Sequence, residues 1–231
     1  MRAAIFIDGG YFLKHIQEHN ASVDYTKLAN HLLAPVDGGG ALDLMRCYFY
    51  YCPPYISAEP TEEEKRRMGV HEKFVERVES IDRWQFREGK LEKRREGDRD
   101  VYSQKRVDVM LSVDLVRHAA AGHVQHALII AGDSDFIPAV MAAKEEGVTI
   151  TLWCAKDKSA HRDLVRLADE VRYFDLKKLP RAANTTRGSR GGSRAKTTKK
   201  TKTASKPVEK KSTEKKPAKR RRVVRKKSKS T

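Results

Sequence analysis

The chain has 231 residues, of which 48 are Lys or Arg and 31 are Asp or Glu, giving a formal net charge of +17. Three cysteines, Cys47, Cys52 and Cys154, form neither a disulfide framework nor a Cys-x-x-Cys pair, which argues against a disulfide-stapled domain and a zinc site. No apolar run reaches the roughly 18 residues of a membrane-spanning helix, and no signal-peptide pattern precedes the first apolar run. The composition therefore predicts a soluble, cytoplasmic protein with no membrane partner.

The basic charge is concentrated at the end of the chain. Residues 181–231 hold 21 Lys and Arg against two Glu, whereas residues 1–180 hold 27 basic and 29 acidic residues. The terminal segment has no aromatic residue and is rich in Lys, Thr, Ser and Pro, so burial cannot offset its chain entropy. We therefore predict a folded domain over residues 1–180, long enough for a substantial core, and a disordered basic tail over residues 181–231.

Short apolar runs alternate with amphipathic stretches along the predicted domain. The apolar runs predict strands at residues 2–8, 44–51, 126–131, 148–153 and 171–175. The intervening stretches predict helices at residues 10–19, 24–34, 61–80, 105–121, 135–146 and 159–168, with Asp24 as an N-cap. This alternation indicates an α/β fold with a central, mostly parallel sheet and helices on both faces.

Residues 53–104 depart from the alternation. Trp84 to Glu92 predicts a strand with a turn at Gly89, and cations are dense from Glu92 to Arg106. This basic segment either meets a phosphate backbone near the predicted site or is a solvated loop with interspersed acids. The sequence leaves both interpretations open.

Five aspartates lie near the ends of predicted elements. Asp8 closes the first strand, Asp133 and Asp135 follow the strand at 126–131, and Asp108 and Asp114 lie in the helix at 105–121. The crevice beyond the carboxyl ends of parallel strands is the usual ligand site of such a sheet, so acids distant in sequence can converge there. Because hard carboxylate oxygens suit Mg²⁺ or Mn²⁺, the pattern predicts a divalent metal site.

Two of these acids have a competing structural role at a helix start. Asp8 precedes Gly9-Gly10 and either approaches a metal ion or caps the helix that begins near Gly10. After the strand at 126–131, Asp135 or Ser134 is the expected N-cap. That assignment leaves Asp133 without a structural role, which favours Asp133 as a ligand.

Asp108 and Asp114 stand in an otherwise apolar helix, where an unpaired charge is costly. On a regular helix their directions differ by about 120°, so they need not share one ion. Asp108 is near the helix start and is the expected ligand. Asp114 either lies beside the metal site or pairs with Arg117 or another nearby cation.

Three motifs carry these residues: Ile5-Phe6-Ile7-Asp8-Gly9-Gly10-Tyr11-Phe12, Lys105-Arg106-Val107-Asp108-Val109 with Asp114, and Gly132-Asp133-Ser134-Asp135-Phe136. In this order and spacing they resemble the NYN family, in its LabA-like branch of the PIN-like nuclease superfamily, over residues 2–175. The resemblance implies a PIN-like three-layer α/β fold, a Mg²⁺ or Mn²⁺ site and cleavage of RNA phosphodiester bonds. It assigns the catalytic and metal-binding acids to Asp8, Asp108, Asp133 and Asp135, with Asp114 beside them. The residues that we predict to contact the substrate are Tyr11, Ser134, Lys105 and Arg106.

Two positions depart from the family pattern. Tyr11 stands where many relatives have Asn, so a polar contact of the site changes its chemistry, although Tyr still offers a hydroxyl. Arg106 stands where relatives often have Gly, which adds a cation near the predicted site.

Two functional hypotheses follow from the sequence. In the first, the chain is a metal-dependent endoribonuclease that the basic tail holds on nucleic acid. In the second, it is a non-catalytic nucleic-acid-binding or adaptor protein, and a tail resembling those of linker histones carries the binding. Under either hypothesis, we expect the tail to bind RNA, and also DNA, in a salt-sensitive and sequence-independent way. The expected location is the cytoplasm, with nucleoid association as an extension, and a homo-oligomer is left open.

Overall fold

The structure is a computed structural model that describes residues 1–35, 40–97, 99–156, 160–175 and 177–182. Nearly all of the predicted tail lies outside the described residues, so its disorder stays a prediction. No helix in the described ranges is both long and apolar enough to cross a membrane.

The described chain alternates strands and helices, as the sequence predicts. The strands are β1 (Arg2–Asp8), β2 (Asp43–Tyr51), β3 (Trp84–Glu88), β4 (Lys90–Glu96), β5 (Arg99–Lys105), β6 (His126–Ile130), β7 (Thr149–Cys154) and β8 (Glu170–Tyr173). The helices are α1 (Gly9–Glu18), α2 (Tyr25–Leu33), α3 (Glu62–Glu79), α4 (Val107–Ala120), α5 (Ile137–Glu145) and α6 (Arg162–Leu167). Asp24 caps α2, as expected: its Oδ1 accepts from the Thr26 N–H at 3.1 Å.

Six parallel strands form the central sheet in the order β3-β2-β1-β6-β7-β8. The side chains of β1 alternate between the two faces of this sheet, with Phe6 on one face and Ile5 and Ile7 on the other. The Phe6 face packs against α4, α5 and α6, and the Ile5 face packs against α1, α2 and α3. The predicted three-layer α/β fold with a parallel sheet is therefore confirmed.

The sheet order places a topological switch point between β1 and β6. From β1 the chain proceeds outward to β2 and β3, whereas from β6 it proceeds outward on the other side to β7 and β8. Ligand crevices of open parallel sheets form at the carboxyl ends of the strands beside such a switch. Asp8 ends β1 and Asp133 follows β6, so the topology brings these two acids to the same edge.

The basic segment after Gly89 is a β-hairpin rather than a solvated loop, which corrects one of the two sequence interpretations. The chain breaks at Gly89, as predicted, but then continues as β4 and β5, an antiparallel pair running from Lys90–Lys105 to Glu96–Arg99. Most of the side chains of the pair are exposed. Because no face of the hairpin is apolar, no alternation of apolar and polar residues announces it in the sequence.

Candidate functional site

A cleft of about 1630 Å³ opens at the carboxyl ends of β1, β6 and β7. Asp8, Asp108 and Asp133 line this cleft together with Tyr11 and Ser134. We call it the acidic cleft. Of the nine residues that the sequence assigned to the site, these five line the cleft, and Asp114, Asp135, Lys105 and Arg106 are outside its lining.

Asp8 is both a wall of the acidic cleft and the N-cap of α1. Its Oδ1 accepts hydrogen bonds from the N–H groups of Gly10, at 2.9 Å, and Tyr11, at 3.2 Å. The capping role that the sequence left open is therefore real. Both bonds reach one carboxylate oxygen, so the cap leaves Oδ2 for a further ligand.

The glycine after Asp8 is required by packing. A Cβ at Gly9 would lie 2.6 Å from both the Phe49 ring and the Tyr50 carbonyl oxygen. Only glycine allows α1 to start this close to β2. The space beside Gly9 is therefore filled by the chain itself, through Phe49 and Tyr50 of β2.

Asp133 follows the buried residues Ala131 and Gly132 and is exposed in the cleft. Its Oδ1 accepts from the Asp135 N–H at 3.1 Å and from the Ser134 hydroxyl at 3.3 Å. Asp133 is thus the N-cap of the short 3₁₀ turn at Ser134–Phe136. The expectation that Asp135 or Ser134 would cap, leaving Asp133 without a structural role, is wrong.

The acids of the cleft repel one another. Burial raises the pKa of Asp8 to about 6, and repulsion by Asp108 and Asp133 adds to the rise, while the Tyr11 and Gly10 hydrogen bonds oppose it. Burial also raises the pKa of Asp108, with repulsion by Asp133 and Asp135 as the further causes. Asp135 therefore lies close enough to act on Asp108 electrostatically. Such mutual repulsion is what a bound cation would relieve.

Asp114 lies in a separate cluster on the β2 side of α4. Its Oδ2 accepts from the Tyr50 hydroxyl at 3.0 Å and lies 3.2 Å from Arg87 Nε, and its Oδ1 lies 3.5 Å from Arg117. The side chain is largely buried. This is the pairing with Arg117 and a nearby cation that the sequence left open, and it occupies both carboxylate oxygens.

Cations also line the acidic cleft. Four of them line it: Lys14 of α1, Lys156 after β7, and Arg162 and Arg166 of α6. All four are exposed. The sequence interpretation missed them, although Arg162 and Arg166 stand four residues apart and so share one face of α6. The cleft is thus lined by both carboxylates and cations.

The NYN domain family model matches residues 2–176. The chain belongs to the NYN domain family. The matched range contains every residue of the acidic cleft and ends before the basic tail, and the family membership implies a PIN-like nuclease fold. The predicted family is confirmed, whereas the LabA-like branch stays a prediction.

Among solved structures, this NYN domain is similar to a Vibrio parahaemolyticus RIMD 2210633 protein described as "a protein of unknown function VPA0982", with a TM-score of 0.51. The two chains are 17% identical, and the match covers 75% of this chain and 93% of the other. At that identity the likeness supports the fold alone. No curated protein matches the sequence.

Tyr11 has a bridging role in this NYN domain. Its hydroxyl oxygen accepts from the Ala155 N–H at 3.1 Å, which ties α1 to the end of β7. Its ring covers Gly132, where an added Cβ would collide with the ring carbons. The tyrosine that replaces the usual Asn is thus accommodated by a glycine next to Asp133.

The backbone conformation of Arg106 is one that suits glycine, the residue that the family resemblance predicts at this position. Its φ of 75° lies in the left-handed region, which glycine adopts readily and other residues adopt at a cost. Arg106 precedes α4 and is exposed, as is Lys105. Both remain predicted substrate contacts, on the rim beside Asp108 rather than among the residues that line the acidic cleft.

The donor chemistry of the NYN domain's cleft fits a divalent cation. Asp8, Asp108 and Asp133 supply hard oxygen ligands from three separate elements. Burial raises the pKa values of Asp8 and Asp108, and repulsion by neighbouring acids adds to both rises. Within the described ranges, however, no three acidic, His or Cys side chains are close enough together to hold one ion. The fit therefore rests on ligand type and charge.

Proposed function

We propose that the chain is a metal-dependent endoribonuclease that cleaves RNA phosphodiester bonds at the acidic cleft. The observation that carries the proposal is the convergence of Asp8, Asp108 and Asp133 at a topological switch point, in a cleft that is also lined by cations. Structural roles account for the caps made by Asp8 and Asp133, but not for the accumulation of repelling carboxylates in an open cleft. Membership in the NYN domain family supports the same reaction class.

Asp8, Asp108 and Asp133 would hold Mg²⁺ or Mn²⁺. When bound, the ion would lower the pKa of the attacking water and offset the charge that develops on the phosphate. Asp8 Oδ1 and Asp133 Oδ1 are fixed by backbone N–H groups, so both carboxylates are oriented before the substrate arrives. The cations of α6 and Lys14 would bind phosphates on either side of the cleaved bond.

The proposed partner is RNA, with the basic tail keeping the enzyme on nucleic acid. The 21 cations of residues 181–231 against two acids would bind RNA and DNA alike, with an affinity that falls steeply as salt increases. The tail would therefore contribute affinity, and the acidic cleft would contribute the reaction. The proposed location is the cytoplasm, with nucleoid association through such a tail.

Cleavage of end-labelled RNA by full-length wild-type protein and the Asp133→Asn variant tests the proposal. Asn keeps an oxygen that can accept from Asp135 N–H, so the cap survives while one ligand charge is lost. We expect Mn²⁺-dependent cleavage by the wild type and a loss of at least about tenfold in the variant, because even the loss of a group that only supports a metal ligand costs roughly 10- to 100-fold. Equal rates, with both proteins folded, would contradict the assignment.

A second function is favoured by one observation. The described residues contain no ready three-ligand metal group, which suits a nucleic-acid-binding or adaptor protein whose tail carries the activity. Salt-sensitive RNA binding by the wild type without cleavage at any Mg²⁺ or Mn²⁺ concentration would support this alternative.

A further inference from the structure

A second cleft, of about 640 Å³, lies between α1, α3 and the β4–β5 hairpin. We call it the α3 cleft. Much of its floor is apolar or aromatic and is formed by Leu13, Tyr51, Pro53, Pro54, Phe74 and Leu91. A volume of this size and an apolar floor are typical of pockets that take a small organic ring.

The charges of α3 are sorted by face. The helix carries five basic and six acidic residues. Four of the basic residues, Arg66, Arg67, Lys73 and Arg77, line the α3 cleft, and none of the six glutamates does. A helix whose charges served only solubility would present both signs to the cleft. The sorting therefore indicates a ligand with negative charge.

Three of these cations are available to a ligand. Arg66 is held by Glu63 through two hydrogen bonds of 2.7 Å. Within the described part of the chain, no ion pair engages Arg67, Lys73 or Arg77, and all three are exposed. Proteins that bind single-stranded nucleic acids combine aromatic side chains with cations in the same way. The bases stack on the aromatic rings, and the cations bind the phosphates.

The α3 cleft adjoins the acidic cleft through one side chain. Gln104 lines both clefts. An added Cβ on Gly10 would lie 3.2 Å from Gln104 Nε2 and 3.2 Å from Asp8 Oδ1, so the Gln104 amide lies beside the Asp8 cap. A strand with one phosphate at Asp8 therefore reaches the α3 cleft by crossing Gln104.

We propose that the α3 cleft binds a nucleobase of the same single-stranded RNA whose phosphodiester lies in the acidic cleft, with Arg67, Lys73 and Arg77 on the neighbouring phosphates. The identity of the strand rests on the proposed function, whereas the chemistry of the subsite rests on the α3 cleft alone. The base enters flat against the apolar floor, and Gln104 separates the two subsites.

Photo-crosslinking tests the subsite without requiring turnover. Full-length protein is irradiated in chelator with a single-stranded RNA carrying a photoreactive uridine, and the crosslinked peptides are mapped by mass spectrometry. We expect crosslinks within residues 51–54 or at Phe74. Lys73→Glu should reduce them at least roughly fivefold, the effect of losing one close ion pair in water.

Lys65→Glu is the matched control. It makes the same charge change on the same helix, but Lys65 lies outside the α3 cleft and pairs with Glu62 at 2.9 Å. It should leave the crosslinks unchanged, and the tail contributes equally to both variants. Equal losses in the two variants, or no crosslinks at the α3 cleft, would overturn the subsite.

The crosslinking result and the cleavage result separate the two proposals. A protein that crosslinks at the α3 cleft but never cuts RNA keeps the subsite and loses the nuclease. In an active enzyme, Lys73→Glu should raise KM while kcat stays unchanged, because Lys73 lines the α3 cleft and is not among the residues that line the acidic cleft. A protein that cuts RNA with no such change in KM, and without crosslinks at the α3 cleft, keeps the nuclease and loses the subsite.

Discussion

Replacing Asp8 by Asn removes a partly buried negative charge but keeps an oxygen that can accept from Gly10 and Tyr11 N–H. In the wild type, burial and the neighbouring carboxylates raise the Asp8 pKa from 3.8 to about 6. The native state therefore favours the protonated form of Asp8 more than the unfolded chain does. Stability is therefore lost as pH rises from the unfolded pKa of 3.8 through the folded pKa of about 6, because ionisation of Asp8 costs more in the folded protein.

The size of the effect follows from the pKa values. A rise from 3.8 to about 6 corresponds to about 3 kcal/mol at roughly 1.36 kcal/mol per pH unit. Of this, about 2 kcal/mol is lost between pH 4.5 and 7.5. Asn does not titrate, so the stability of Asp8→Asn relative to the wild type should increase by about 2 kcal/mol across that range.

Urea unfolding in chelator at a series of pH values measures this difference. Asp24→Asn is the matched control, since Asp24 also caps a helix through Oδ1. Its pKa is lowered, mainly by the Thr26 hydroxyl, so its stabilising effect is present above the unfolded pKa and is lost only at lower pH. Asp24→Asn should therefore be destabilising by a constant amount from pH 4.5 to 7.5. A flat profile for Asp8→Asn, or one that falls with pH, would refute the electrostatic account of the acidic cleft.

Three further substitutions give separate predictions. Arg106→Gly should raise the free energy of unfolding by about 0.5 kcal/mol, because relief of the left-handed backbone outweighs the extra entropy of glycine; a loss of stability in urea would contradict this. Gly132→Ala should lower the free energy of unfolding by about 1–3 kcal/mol, because the added methyl group overpacks against the Tyr11 ring. When Tyr11→Ala is added, a double-mutant cycle should show a combined loss smaller than the sum of the two single losses. Asp114→Asn should cost about 2 kcal/mol by leaving Arg87 half-buried and unpaired, yet RNA cleavage at a temperature where the variant is folded should stay near the wild-type rate.

The acidic cleft could be predicted because the sequence shows where the buried strands end. The apolar runs ending at Asp8 and Ile130 identify β1 and β6, and a parallel sheet brings their carboxyl ends to one edge. The sequence does not, however, predict which way each acidic side chain points. Asp133 rather than Ser134 or Asp135 makes the cap, because the choice among adjacent capping residues depends on backbone angles that the sequence leaves open.

Contacts between residues distant in sequence account for the parts of the site that could not be predicted. Asp114 finds Arg87 only because β3 joins the sheet beside β2, and nothing in the local pattern of α4 indicates that contact. The α6 cations reach the acidic cleft through the same kind of long-range packing. The hairpin of β4 and β5 lacks an apolar face, so periodicity carries no signal for it.

The central claim is that the carboxylates of the acidic cleft bind a divalent ion, and a Mn²⁺ titration followed by electron paramagnetic resonance tests it most directly. Full-length wild type, Asp133→Asn and Asp114→Asn are compared in the absence of RNA. The account predicts saturable Mn²⁺ binding by the wild type and by Asp114→Asn, because Asp114 pairs with Arg87 outside the acidic cleft. In Asp133→Asn, the affinity for Mn²⁺ should fall by at least about tenfold. Absence of saturable binding in the wild type, or equal binding by all three proteins, would contradict the metal site and favour the adaptor.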